Sequence, residues 1–134
     1  SELDHAGKKI KIPAGRVHGY QCEIDPDPGR DRWWTAGIYE EGRRGWLFPG
    51  ICGGDAAKFT EQGRRLFKQG DWNKVRIEAR GPSIKSWLNG EPRADLTDGL
   101  TPSGFIALQV HSHKEPGLEV RWRNIRIADL PASK

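Results

Sequence analysis

Two-residue alternation broken by tight turns is the feature that most restricts how this chain can fold. The clearest case is "SIKSWLNGEPRADL" (83–96), two alternating runs joined by Asn89-Gly90. Both turn residues tolerate positive φ, which the two-residue hairpin loop requires. "GYQCEID" (19–25) places Tyr20, Cys22 and Ile24 in one phase and Gln21, Glu23 and Asp25 in the other. "WWTAGIYE" (33–40), the short "WLF" (46–48), "DWNKVRIEAR" (71–80), "GFIALQVHS" (104–112) and "LEVRWRNIRIADL" (118–130) read as further strands. Inward positions are expected at Trp72, Val75, Ile77 and Ala79, and at Ile106, Leu108 and Val110. Turn chemistry lies between the runs, in "PDPGRD", "EGRRG", Pro49-Gly50 and Gly53-Gly54. "AAKFTEQGRRLF" (56–67) has room for one short helical turn, and "KKIKIP" near the start is only weakly strand-like. Strands at short, regular spacing predict an all-β fold, an antiparallel β-sandwich occupying residues 1–134 as a single domain.

A chain of 134 residues is long enough for one hydrophobic core, and the 17 glycines and 9 prolines suit many turns rather than long helices. No apolar run approaches the length of a membrane span, so no membrane partner is expected. The net charge of +4 raises nucleic acid as a partner. The arginines are interspersed with acidic residues, however, and no DNA- or RNA-binding motif is present, so nucleic acid is not expected. Cys22 and Cys52 allow one internal disulfide but lack metal-ligand spacing; Cys22, in phase with Tyr20, reads as a small core residue.

Two strands share a pattern that points to chemistry. Behind an apolar backing, "GYQCEID" presents Gln21 and Glu23 outward, and "GFIALQVHS" presents Gln109 and His111 outward. A carboxylate and an imidazole suit acid–base work near neutral pH, and they are equally suited to binding a divalent metal. The same residues on an open sheet face also serve ordinary sandwiches as solvated cross-strand pairs. His5, His18 and His113 lack an apolar backing and read as loop or turn residues. "IYEEGRRGWL" places Tyr39, Glu41, Arg43 and Trp46 at a Gly-rich corner, where arginine can hold vicinal hydroxyls and tryptophan can stack on a sugar ring. Lys85 and Trp87 share an outward phase and join the candidate binding set. Trp72, Trp122 and one of Trp33 or Trp34 read as core. No Ser-His-Asp arrangement, Walker loop or dinucleotide fingerprint occurs.

The blocks "GYQCEIDP", "WWTAGIYEEGRRGWLF", "WNKVRIEARGPSIKSWLNGEPRADLTD" and "TPSGFIALQVHS…PGLEVRWRNIRI" resemble, in this order, the 3-keto-disaccharide hydrolase domain family. The likeness covers most of residues 15–128. It implies a concanavalin-like jelly roll, a carbohydrate ligand, and cleavage of 3-keto-glycosides on the concave face. It also implies work in the periplasm or outside the cell, while the residues themselves leave the compartment open. Glu23 and His111 would then be catalytic, with a divalent metal as an unsettled requirement, and Glu2 a further carboxylate in that region. Gln21, Gln109, Tyr39, Arg43, Trp46, Lys85 and Trp87 would bind substrate. Members of the family usually carry several more strands before the point matching "SELD", so the resemblance implies an N-terminally shortened version. Open edges would follow, and a homodimer completing the sandwich is the expected remedy. Two other readings stay alongside the enzyme. One is a non-catalytic carbohydrate-binding module, and the other a shortened member acting through self-assembly.

Overall fold

A computed structural model describes residues 1–132. The strands are β1 (Glu2–His5), β2 (Lys8–Lys11), β3 (Gly19–Cys22), β4 (Pro26–Asp27), β5 (Arg32–Trp33), β6 (Ile38–Glu41), β7 (Gly45–Phe48), β8 (Val75–Arg80), β9 (Ser83–Leu88) and β10 (Glu91–Thr97). Among the described residues one α-helix, α1 (Ala56–Leu66), lies between β7 and β8, and a 3-10 turn at Pro28–Arg30 links β4 to β5. Every strand pairing is antiparallel. Two three-stranded sheets, β3-β6-β7 and β10-β9-β8, form the two layers of a jelly-roll sandwich, and the hairpins β1-β2 and β4-β5 sit outside them.

The core lies where the layers meet. Ile38 and Leu47 from one sheet pack with Ile84, Ala94 and Leu96 from the other, flanked by Tyr20, Cys22, Phe48 and Cys52. Ser86 is fully buried in this layer and stitches it: its Oγ donates to the Ala36 carbonyl at 2.5 Å and accepts from the Ala94 N–H at 3.0 Å. The β9–β10 hairpin forms as the Asn-Gly pair demands. Asn89 and Gly90 take φ of 51° and 88°, and Leu88 pairs with Glu91 across the loop.

The helix is longer than the single turn read from sequence. Asp55 caps it, its side chain accepting from the Lys58 N–H at 2.9 Å, and the helix docks through Phe59 and Gly63. Arg93 of β10 reaches under it, donating to the carbonyls of Trp33 at 2.7 Å, Thr35 at 3.1 Å and Phe59 at 2.7 Å. Its guanidinium also lies 3.5 Å from the Phe59 ring centre. Burial lowers the Arg93 pKa to about 10, so the group still carries its charge near neutrality. The run at 33–40 is broken as well: β5 ends at Trp33, and residues 34–37 form a turn with Ala36 at φ 65° before β6 begins.

The C-terminal third departs most from expectation. Residues 101–132 form no ladder, and Ile106, Leu108 and Val110 are 77%, 53% and 67% exposed rather than in the core. Trp72, Val75, Ile77 and Ala79 are exposed too, rather than covered as inward positions. Val75, Ile77 and Ala79 stand opposite Leu88, Ser86 and Ile84, which are buried residues of the inner face. They point inward, but among the described residues no strand of the other layer extends over them. Ile24 is 49% exposed for a related reason, since it lies past the end of β3, beyond the reach of the second sheet.

Candidate functional site

Alternation on the β3-β6-β7 sheet separates its two faces. Cys22, Ile38 and Phe48 form one cross-strand row toward the core, and Gln21, Tyr39 and Trp46 form the next row on the opposite face. Backbone pairing continues beyond β3: the Glu23 N–H donates to the Gly37 carbonyl at 2.9 Å, and its carbonyl accepts from the Ala36 N–H at 2.8 Å. Glu23 is therefore fixed two residues beyond Gln21 on the same face, and Asp25 follows two residues later. The Asp25 N–H is held by the Thr35 hydroxyl at 3.0 Å.

An aromatic wall closes one side of this face. Tyr39 meets Trp46 edge to face with centroids 5.3 Å apart, and Trp34 meets Trp46 likewise at 4.7 Å. Arg32 lies over both indoles, 5.4 Å from Trp34 and 5.5 Å from Trp46, and donates to both oxygens of Asp25 at 2.6 Å and 3.2 Å. The Trp34 indole N–H donates to the Thr60 hydroxyl of α1 at 2.9 Å, which fixes the ring. The wall is thus braced from the sheet, from the β5 strand and from the helix.

The two polar stretches meet in space through their glutamines. Gln21 Nε2 donates to Gln109 Oε1, and the His111 imidazole bears electrostatically on Glu23. Burial, with the nearby charges of Asp25 and Glu41, raises the Glu23 carboxyl to about pKa 7, against the smaller lowering effects of Arg32 and His111. Such a group exchanges protons at neutral pH. Gln21 Oε1 is buried and accepts no hydrogen bond, leaving an unfilled acceptor on the same face. His111 itself is exposed, its Nδ1 2.9 Å from the Ser112 carbonyl oxygen.

Several candidate residues lie elsewhere. Arg43 is not a binding-loop arginine, for its side chain is 7% exposed and is held by Glu40 and Thr101. Glu40 is fully buried on the inner face with Arg43 and Arg44 around it, and Arg44 continues to Asp98 at 2.6 Å. Burial pushes the Glu40 carboxyl up, but the hydrogen bonds and charges of the two arginines outweigh it and hold the group low. The "EGRRG" corner is therefore an internal charge knot. Lys85 and Trp87 are in the outward phase of β9, alternating with buried Ile84, Ser86 and Leu88. That puts them on the outer face of the opposite sheet, with Arg76 over the Trp87 ring at 5.3 Å. The sandwich itself separates them from Gln21 and Trp46. Glu2 sits on the exposed β1–β2 hairpin, 4.0 Å from the Lys9 ammonium.

Arg32 and Trp34 belong to the site surroundings and are not singled out as such by the sequence, whereas Glu41 of the Gly-rich corner does lie there, paired with Arg16. An i, i+2 pair of arginine and tryptophan in "RWW" is a weak signal, because core packing explains tryptophan equally well. Trp33 does follow that reading, packing on Phe67 at 6.2 Å. Cys22 and Cys52 are free thiols, and burial raises Cys22 to about pKa 12, so it is an inert core group. Among the described residues no three His, Cys, Asp or Glu side chains converge to hold a metal ion. Asp25 is taken by Arg32 and Glu41 by Arg16, so the residues present do not fit a metal centre. Among the described residues no helix is long and apolar enough to cross a membrane.

Compared with known proteins, residues 6–128 match the family model described as a 3-keto-alpha-glucoside-1,2-lyase-like domain. No curated protein matches the chain closely enough to count as a relative.

Proposed function

Because the chain belongs to the 3-keto-alpha-glucoside-1,2-lyase-like domain family, we propose that the face bearing Gln21, Glu23, Tyr39 and Trp46 binds a 3-keto-glycoside and eliminates its aglycone. The single observation that carries this reading is the apposition of Gln21 and Glu23 with Gln109 and His111 beside an aromatic wall. A ketone at sugar carbon 3 acidifies the proton on carbon 2. Ionised Glu23 removes that proton, the electron pair forms the C1–C2 double bond, and the C1–O bond to the aglycone breaks. The departing oxygen takes a proton from His111 in its imidazolium form. A carboxyl with a pKa of about 7 is matched to such a step, since the ionised and protonated forms coexist at neutral pH. Gln21 Oε1 supplies an acceptor for a sugar hydroxyl, and Trp46 and Tyr39 supply apolar surface for a ring face.

The test is aglycone release from a 3-keto-glucoside. His111→Ala and Glu23→Gln should each lower turnover by about a hundredfold or more, in the range that general acid–base groups contribute. Undiminished turnover in His111→Ala removes the imidazole from the mechanism. A carbohydrate-binding module is the second reading, favoured by the exposure of His111. Binding of the glycoside by the unaltered chain without any aglycone release would decide for it. Self-association of the chain also belongs to this proposal.

A further inference from the structure

The site face carries its polar groups in a line. Gln21, Glu23 and Asp25 follow one another on the same side of one extended segment, roughly 7 Å apart at each step. The neighbouring segment fixes their register: Glu23 exchanges backbone hydrogen bonds with Gly37 and Ala36, and the Asp25 carbonyl accepts from the Trp34 N–H at 3.1 Å. The three positions differ in what they offer. Gln21 Oε1 is a buried acceptor with no donor among the described residues, and Glu23 takes and releases a proton. The third position belongs to Arg32 rather than to Asp25, because both Asp25 oxygens are engaged by the guanidinium, from Nε at 2.6 Å and from Nη2 at 3.2 Å.

The hold on Arg32 is one-sided. Asp25 takes the edge formed by Nε and Nη2, while Nη1 donates to no acceptor among the described residues. The edge formed by Nη1 and the second Nη2 hydrogen therefore remains as a two-donor fork. The indoles of Trp34 and Trp46, set at 87° to each other, back the guanidinium at 5.4 Å and 5.5 Å. Carboxylate and rings together fix the head, yet 28% of the side chain stays open to solvent. The hydrogen bond to Asp25 also holds the Arg32 pKa above its ordinary value, so the fork is always charged.

We infer that the free edge of Arg32 receives the ketone oxygen at sugar carbon 3 and carries the negative charge that forms there when Glu23 removes the proton from carbon 2. This role rests on the proposed elimination and specifies its pose: carbon 3 toward Arg32, carbon 2 over Glu23, and carbon 1 with its aglycone toward Gln21, Gln109 and His111. Donor and acceptor types match at both ends. Arginine only donates and a ketone only accepts, whereas the unfilled Gln21 Oε1 calls for a hydroxyl. The reaction then passes through an enolate. The C2–H bond breaks with its proton going to Glu23, its electron pair forms C2=C3, and the carbonyl π pair moves onto the oxygen beside Arg32. As the carbonyl re-forms, the C2=C3 pair moves to C1=C2, the C1–O bond breaks, and the aglycone oxygen takes the His111 proton. The donors stand in place before the charge develops, which is when such hydrogen bonds are most effective. A sugar with a hydroxyl at carbon 3 develops no such charge, so Arg32 also sets the requirement for the ketone.

The test uses 1-deoxy-3-ketoglucose labelled with carbon-13 at C3, a sugar with no aglycone to lose. Bound to the unaltered chain, its carbonyl resonance should move downfield, and its C2 proton should exchange with deuterium oxide. Arg32→Met combined with Asp25→Asn removes the ion pair without leaving an uncompensated charge beside Glu23. That double variant should bind the sugar with no downfield movement and exchange the C2 proton about a hundredfold more slowly, the usual cost of a lost oxyanion donor. Added guanidinium ion should restore part of the exchange. The Arg32 Nη resonances of the unaltered chain give a reading that loss of fold cannot mimic, and they should move further with the keto-sugar than with 1-deoxyglucose. A bound ketone whose resonance does not move, or undiminished exchange in the double variant, overturns the role of Arg32 and leaves the elimination to be judged by aglycone release. Exchange that is lost and not restored by guanidinium makes Arg32 a brace for the wall and overturns its role as well. A downfield shift and C2 exchange without aglycone release from a 3-keto-glucoside count against the elimination alone. A chain that does not bind the keto-sugar overturns both.

Discussion

Glu23 is the residue on which most of the chemistry depends, and its environment also makes it a cost to the fold. Its carboxyl is raised from the usual 4.5 to about 7 in the folded chain. Between those two values the unfolded chain releases a proton that the folded one keeps, so folding stability falls as pH rises through that window. Glu23→Gln should abolish this slope while leaving stability below pH 4.5 unchanged, as urea melts at a series of pH values would read. The aromatic wall gives a second residue-scale expectation. Trp46→Ala should weaken glycoside binding by about tenfold, corresponding to ~1.5 kcal/mol of ring contact. Trp87→Ala should leave it unaltered, because Trp87 stands on the outer face of the other sheet. Titration calorimetry on the two variants separates a site tryptophan from a surface one.

Elements meet most closely where α1 crosses β5. A β-carbon on Gly63 would lie 1.8 Å from the Trp33 carbonyl oxygen and 2.6 Å from Arg93 Nη2. The missing side chain is thus what lets the helix approach and lets Arg93 reach its carbonyl. Gly63→Ala should destabilise the fold by about 3 kcal/mol despite its gain in helix propensity, lowering the urea midpoint without changing the slope. Sequence revealed the strands that pair locally. The β9–β10 hairpin was legible because Asn89-Gly90 fixes its turn, and the Gln21/Glu23 phase because alternation is strict there. It was poor at α1, whose apolar anchors are only Phe59 and a glycine that reads as a breaker. Arg43 misled because a Gly-rich corner resembles a loop, while the buried Glu40 that captures it sits in a strand with otherwise ordinary alternation. Lys85 and Trp87 misled for a different reason: phase within a strand cannot say which of two sheets the strand joins.

At the scale of the whole molecule, the sandwich is held by two buried charge systems of different kinds. One is the knot of Glu40, Arg43, Arg44 and Asp98, which needs ionised carboxylates. Both Glu40 and Asp98 are lowered from their usual values, so this contribution is present at neutral pH and is lost as pH falls through their folded values. The other is Arg93, whose acceptors are backbone carbonyls and the Gln62 amide oxygen. None of those groups takes up a proton in acid, and a guanidinium stays charged there. Acid should therefore dismantle the molecule from one end. Below the usual carboxylate range, where these lowered groups finally protonate, the β3-β6-β7 end should loosen first, seen as lost near-ultraviolet dichroism from Trp46. The strap from β10 to α1 should keep its helical far-ultraviolet signal to lower pH. A guanidinium seated on carbonyl dipoles thus acts as an acid-proof rivet, and the chain carries a built-in order of disassembly.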